Sequence, residues 1–192
     1  MSAVAKRTWT PAEYLAMERA SEEKHEYLDG EIHLMSGASR NHNVVMANTL
    51  ASLHAQLRQR PCVVFPSDMR VKVSETWTYT YPDISVVCDP PELEDTFLDT
   101  LLNPTLIIEV LSPSTESYDR GRKFQHYRAL PSLREYLLIS QDEARIEHYV
   151  RQANDEWLLS DAVGLDATLD LNSIGCYLAL ADVYEKVTYE TE

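Results

Sequence analysis

Glycine is scarce in this chain, with five in 192 residues. None stands in a GxGxxG or GxxxxGK(S/T) pattern, which speaks against a Rossmann or P-loop nucleotide site. Cysteine is scarcer still. Cys62, Cys88 and Cys176 lie far apart with no CxxC pair, so neither a disulfide framework nor a structural zinc site is expected, and a reducing, cytoplasmic setting fits best. The longest unbroken apolar stretch is six residues, 176–181, far short of the roughly 20 that span a bilayer. The first ten residues carry two basic side chains with no apolar run behind them, so no signal peptide is expected. Six histidines form no HExxH pattern, and no histidine zinc centre is expected. Positive charge is also in deficit: 17 Lys and Arg against 31 Asp and Glu leave a net charge of −14. Phosphate binding normally leaves a basic footprint, and the chain as a whole has none.

What is present is ordinary for a globular protein, with 44% apolar and 25% charged residues. Thr10-Pro11-Ala12-Glu13 reads as an N-cap, a proline at the first helical position and a capping-box glutamate, opening a helix to about residue 20. Two short alternating runs flank Asp29-Gly30, a hairpin signal over residues 25–34. Residues 43–60 carry a helical stripe of Val44, Ala47, Ala51 and Ala55 beside Leu50, Leu53 and Leu57. Strands are expected at 62–73, 80–88 and 106–111, an acidic loop at 90–103, and a basic helix at 117–130. Strands at 135–140, 145–151 and 157–161 and a helix near 178–186 complete the chain. The reading is one α+β domain over residues 1–192 with a mixed central sheet flanked by helices, its core at about 10–150 and an acidic C-terminal extension at 151–192.

Two carboxylates occupy unusual places. Glu109 interrupts Leu106-Ile107-Ile108-Glu109-Val110-Leu111, a run that otherwise reads as a buried strand. A charge there must be paired, metal-bound or neutralised, and a buried Arg or Lys would serve as well as a metal. Asp83 follows Pro82 ahead of Ile84-Ser85-Val86-Val87, where a plain turn is the other reading. If the two strands pair, both side chains converge, and such a site is hard-oxygen, suited to Mg²⁺ rather than zinc.

Pro82-Asp83, 25 intervening residues, and Glu109-Val110-Leu111 resemble the PD-(D/E)xK nuclease signature. More closely, the chain resembles the small prokaryotic restriction endonuclease-like proteins of that superfamily, long carried as a domain of unknown function. The resemblance takes in Glu26 with Tyr27-Leu28-Asp29-Gly30-Glu31, His42, Ser112-Pro113-Ser114, Asp119, Lys123, Tyr127 and Glu135-Tyr136-Leu137. Leu111 stands where the general signature has lysine. The resemblance implies that this lysine has moved to the next helix, as Lys123, with Asp119 and Tyr127 one turn away on either side.

The same resemblance implies a restriction endonuclease-like fold with an N-terminal helix and hairpin. The activity it implies is Mg²⁺-dependent hydrolysis of DNA phosphodiester bonds by an endonuclease, with Mn²⁺ as a substitute ion. The catalytic residues it implies are Asp83, Glu109, Lys123 and Glu26, and the metal would be held by Asp83, Glu109, Glu26 and the main-chain carbonyl of Val110. On this resemblance His42 contacts a phosphate or caps its helix. Arg120, Arg122 and Arg128 would meet the nucleic-acid backbone, and Tyr118 and Tyr127 would stack on bases or pack in the core. The alternative is a catalytically inactive binding or regulatory module in which the carboxylates merely pair with Lys123 or an arginine. An apolar tail at 177–183 suits either a homodimer contact or a core helix.

The charge is not spread evenly. Residues 135–192 hold 13 acidic and 3 basic side chains, whereas 120–134 hold five basic and no acidic ones. The acidity therefore limits nucleic-acid affinity without excluding a local basic helix beside a metal site, and the expected partner is weakly bound DNA.

Overall fold

A computed structural model describes residues 8–73 and 78–189. Most of the stretch read for a signal peptide, residues 1–7, lies outside the described residues.

The chain opens on helix α1 (Pro11–Glu18), held by the expected box: Glu13 N–H donates to Thr10 Oγ1, and Thr10 N–H to the Glu13 carboxylate. Strands β1 (His25–Leu28) and β2 (Glu31–Leu34) pair antiparallel across Asp29 and Gly30. Both turn residues have positive φ, 50° and 90°, the geometry of a tight primed turn that glycine adopts without cost. Helix α2 (Arg40–Leu57) starts three residues earlier than its apolar pattern suggests, because Ser39 caps it through the His42 N–H.

Its buried face is Val45, Thr49, Leu53 and Leu57, while Ala47, Ala51 and Ala55 are exposed. The expected alanine stripe is thus displaced. Thr49 can be buried because its hydroxyl donates to the Val45 carbonyl at 2.8 Å.

The run 62–73 is two strands, β3 (Val63–Pro66) and β4 (Arg70–Val73), and the run 80–88 is also two, β5 (Thr78–Thr80) and β6 (Ile84–Val87). The members of each pair lie in different sheets. Pro82, which has no N–H to donate, marks the second break. After β7 (Thr100–Leu101) and β8 (Leu106–Leu111), the basic helix is three pieces: α3 (Glu116–Tyr118), a π turn (Asp119–Lys123) and α4 (Phe124–Tyr127). Strands β9 (Glu135–Ser140), β10 (Arg145–Arg151) and β11 (Trp157–Val163) follow. A hairpin, β12 (Thr168–Leu171) and β13 (Cys176–Ala179), takes the first two residues of the helix expected near 178–186, which is the single turn α5 (Leu180–Val183). Burial alternates along β12 and β13 with period two, which a helix cannot satisfy.

A six-stranded sheet runs β11-β10-β9-β8-β6-β3, with β8 and β9 parallel, beside a five-stranded sheet β2-β1-β5-β4-β7. Side-chain alternation along β8 sorts the core. Leu106, Ile108 and Val110 pack with α2, β12, β13 and α5, so the acidic C-terminal segment shares the main core. Ile107 and Leu111 pack with Tyr127, Leu130 and the β4–β7 edge. Period two places Glu109 on this second face.

One expectation is corrected outright. Cys62 and Cys88 form a disulfide. The β3–β6 register sets Val63 opposite Val87, which makes the two cysteines cross-strand neighbours despite 26 residues of separation. Cys176 is free and buried. Among the described residues no helix is long and apolar enough to cross a membrane.

The acidic loop is anchored by arginines. Asp99 accepts from Arg19 at 2.8 Å and pairs with the buried Arg70 at 2.7 Å. The Arg19 hydrogen bond, aided by Arg70 and Thr100 and opposed by partial burial, holds the Asp99 carboxyl well below the usual carboxylate range. A depressed native pKa stabilises the fold above the unfolded pKa of about 3.9 and ceases to do so as pH falls towards the native value. Asp99→Asn should therefore lower unfolding free energy by about 1–2 kcal/mol at neutral pH. Denaturant melts of both proteins between neutrality and pH 3 should show the gap closing on acidification; a gap independent of pH contradicts this role.

Candidate active site

The register of β6 against β8 pairs Ile84 with Ile108, so the residue before β6, Asp83, comes level with Glu109. Pro82 ends the ladder there, and the Asp83 side chain takes over as acceptor: Val110 N–H donates to Asp83 Oδ2 at 2.7 Å. A strand-terminating proline thereby fixes the first carboxylate against the second strand. His42, near the start of α2, adds Nε2 to the same Oδ2 at 3.2 Å. Burial opposes protonation of this ring, but the Asp83 hydrogen bond and charge, with Asp119 and the Val110 carbonyl, leave its pKa raised. Ser39, not His42, caps the helix.

Lys123 is buried at the end of the π turn. Its Nζ lies 3.1 Å from Glu26 Oε1, 3.1 Å from Glu109 Oε1 and 3.5 Å from Asp119 Oδ1. Lys123 is thus at the carboxylates, with Asp119 one turn behind it. Glu26 reaches the cluster from β1 and also accepts the Tyr81 N–H at 3.2 Å. Glu26, Glu109, Asp119 and Lys123 are each at most 6% exposed.

The electrostatics are lopsided. Three carboxylates, Glu26, Glu109 and Asp119, surround one ammonium group, and Asp83 adds a fourth level with Glu109. Burial raises the Glu109 pKa well above the ordinary value; Lys123 opposes this, and the other three carboxylates reinforce it. Asp119 is raised by burial against the pull of Lys123. Burial works against the charge on Lys123, but Glu109, Glu26 and Asp119 hold its pKa well above normal. The cluster draws positive charge, and its free donors are oxygens.

A cavity of about 890 Å³ opens onto these residues, lined by Glu26, His42, Asp83, Glu109, Asp119 and Lys123 among others. Arg122 is at its edge, exposed and paired with Asp29 at 3.0 Å. Tyr118 lines it too, with a buried hydroxyl lacking a hydrogen bond and a ring centroid 5.7 Å from Lys123 Nζ. The Ser112 hydroxyl bonds Ser114 and Thr115, shaping the turn after β8.

Other expected residues are placed elsewhere. Tyr127 is fully buried; its phenol donates to Glu109 Oε1 at 2.9 Å and meets the Thr80 hydroxyl at 2.9 Å. It supports Glu109 and is out of reach of a base. Arg120 points to a second, smaller cavity, where Glu116 and Glu147 neutralise it. Arg128 is exposed beside the Phe124 ring. Glu26 and Glu109 share Lys123, and among the described residues no three His, Cys, Asp or Glu side chains are placed to hold one ion as they stand. Pattern reading passed over Gln141. It lines the cavity, is 4% exposed, and accepts from Ser39 Oγ. Its only sequence signal is a polar residue just past an apolar strand, which most strands share.

Comparison with known proteins gives this geometry a context. Two uncharacterised proteins of Synechocystis sp., slr1290 and sll1609, are 39% and 40% identical to the chain, over 94% and 85% of it and 93% and 92% of their own lengths. The crystal structure of an Anabaena variabilis protein, titled "a putative nuclease belonging to DUF820", superposes with a TM-score of 0.75 at 22% identity, covering 93% of this chain and 99% of that one. This likeness shows the fold, which is restriction endonuclease-like. The model of the Uma2 family, described as "Putative restriction endonuclease", matches residues 11–181. With the match spanning nearly every element from α1 to α5, the chain belongs to the Uma2 family.

Proposed function

We propose that the chain is a Mg²⁺-dependent endonuclease that hydrolyses DNA phosphodiester bonds. The observation that carries this reading is the cluster itself: Glu26, Glu109 and Asp119 around the single ammonium of Lys123, with Asp83 level with Glu109, all opening onto one cavity. The donor set fits a hard cation. Mg²⁺ binds through one or two carboxylates and keeps several waters, so a set of three side chains is not required. Asp83 and Glu109 are the two that would hold it, with the Val110 carbonyl beside them and Glu26 at the edge. When bound, the ion supplies Lewis-acid polarisation of the scissile phosphate and a more acidic attacking water.

The chain's own residues do the rest. His42 and Val110 N–H hold the Asp83 carboxylate in one orientation. Tyr127 does the same for Glu109. Lys123 supplies positive charge where the phosphate becomes more negative in the transition state, and Arg122 at the cavity edge meets the neighbouring backbone. The feature favouring an inactive binding module instead is that Lys123 already satisfies Glu26 and Glu109.

Calorimetry with Mn²⁺ separates the two readings. The wild type should bind one ion. Asp83→Asn keeps an acceptor for Val110 N–H and removes the charge, and it should weaken binding at least about tenfold and cleavage of DNA about a hundredfold or more. Ion binding without cleavage in any DNA substrate supports the module, and absence of ion binding removes the metal site.

Lys123 also has a stability role. Removing one partner from a buried ion cluster leaves uncompensated charge. Lys123→Met should therefore lower unfolding free energy by about 3–5 kcal/mol in metal-free buffer, with part of the loss recovered in Mg²⁺. A melt unchanged from wild type shows that the ammonium does not hold the carboxylates together.

A further inference from the structure

We infer that the cavity takes a single DNA strand, such as a frayed end or an overhang, and excludes an intact double helix. This rests on the nuclease reading above and narrows its substrate.

The first observation is steric. Glu26, Glu109 and Lys123 side chains are 9%, 4% and 7% exposed, and that of Asp83 is 17% exposed. The candidate chemistry is thus buried in the wall of a cavity of about 890 Å³, within the size range of small-molecule sites. A duplex, whose major groove alone is about 12 Å wide, carries its phosphates on a broad convex surface. Such a surface does not deliver a phosphate to a recessed carboxylate pair. A strand that has left the duplex does.

The second observation is the disposition of cations. Of the fifteen lysines and arginines among the described residues, ten pair with a carboxylate of this same chain. The cavity is lined by three cationic side chains, Lys24, Arg122 and Lys123, against six carboxylates. Lys24 is held by Asp68 at 2.5 Å and Arg122 by Asp29 at 3.0 Å. Duplex-binding proteins commonly make about 6–10 phosphate contacts, and this rim cannot supply them. The Lys24 and Arg122 pairs are exposed and exchange readily with a phosphate, so the rim can supply two or three contacts, enough for a short strand. The apolar share of the lining, Leu28, Leu34, Met35 and Met46, suits the faces of unstacked bases, which a duplex does not offer.

The test is fluorescence anisotropy of the full chain, with Ca²⁺ in place of Mg²⁺ to hold substrate without turnover. The probes are a short labelled single-stranded oligonucleotide and the same sequence as a blunt duplex, from about 50 to about 200 mM salt. The single strand should bind at least about tenfold more tightly. Its log–log salt slope should be about −2, the value for three phosphates at roughly −0.7 each. Arg122→Gln should flatten that slope by about 0.7. A duplex that binds as well as the single strand, or a slope steeper than about −5, overturns the inference while leaving the nuclease reading intact. No binding of either probe also overturns it, and the nuclease reading then stands or falls separately on the Mn²⁺ titration.

Discussion

A single ammonium group, Lys123 Nζ, lets a crowd of buried carboxylates exist. Glu26 comes from a hairpin, Glu109 from the central strand and Asp119 from the same helical segment as the lysine, and all three meet that one nitrogen. Coulombic attraction in a site of low effective dielectric is strong, but so is the desolvation of each partner. Four acids against one base leave the balance negative. The site is therefore stable enough to fold and still favours a further cation, a combination suited to a removable ion.

The fold is arranged to deliver these groups. Glu109 can interrupt the apolar strand β8 because period-two alternation turns it to the face where the helical segment lies. The π turn over Asp119–Lys123 presents both residues inward; single π turns inside helices recur at functional sites. Pro82 ends one ladder, and the Asp83 side chain accepts the Val110 N–H beyond it. Each device departs from regular structure at the point where chemistry is expected.

Much of this was legible in the sequence. The capping box of α1, the Asp29-Gly30 hairpin and strands β8 to β10 are local signals, and each stands where its pattern puts it. Glu109 announced itself as a charge in an apolar run, though burial alone does not mark chemistry. Glu135 is equally buried on β9, where it accepts the Ser173 N–H and lies 3.2 Å from His148 Nε2, away from the cavity. Long-range pairings were not legible. Cys62 and Cys88 meet only through the β3–β6 register, and Arg120 finds Glu147 only because β10 lies beneath its helix. For Tyr127 the sequence leaves base stacking and core packing both open; only the packing reveals it as the hydrogen-bond donor to Glu109. The net charge of −14 is sharpened in the same way, since part of the acidity is the site and most of the basic side chains are committed within the chain.

The measurement that tests the central claim most directly is the anomalous scattering of a crystal soaked in Mn²⁺. One peak is expected between Asp83 and Glu109, at about 2.1 Å from their oxygens, with Lys123 still against Glu26. A map without a peak at that point, with Lys123 bridging Glu26 and Glu109 as before, would contradict the account.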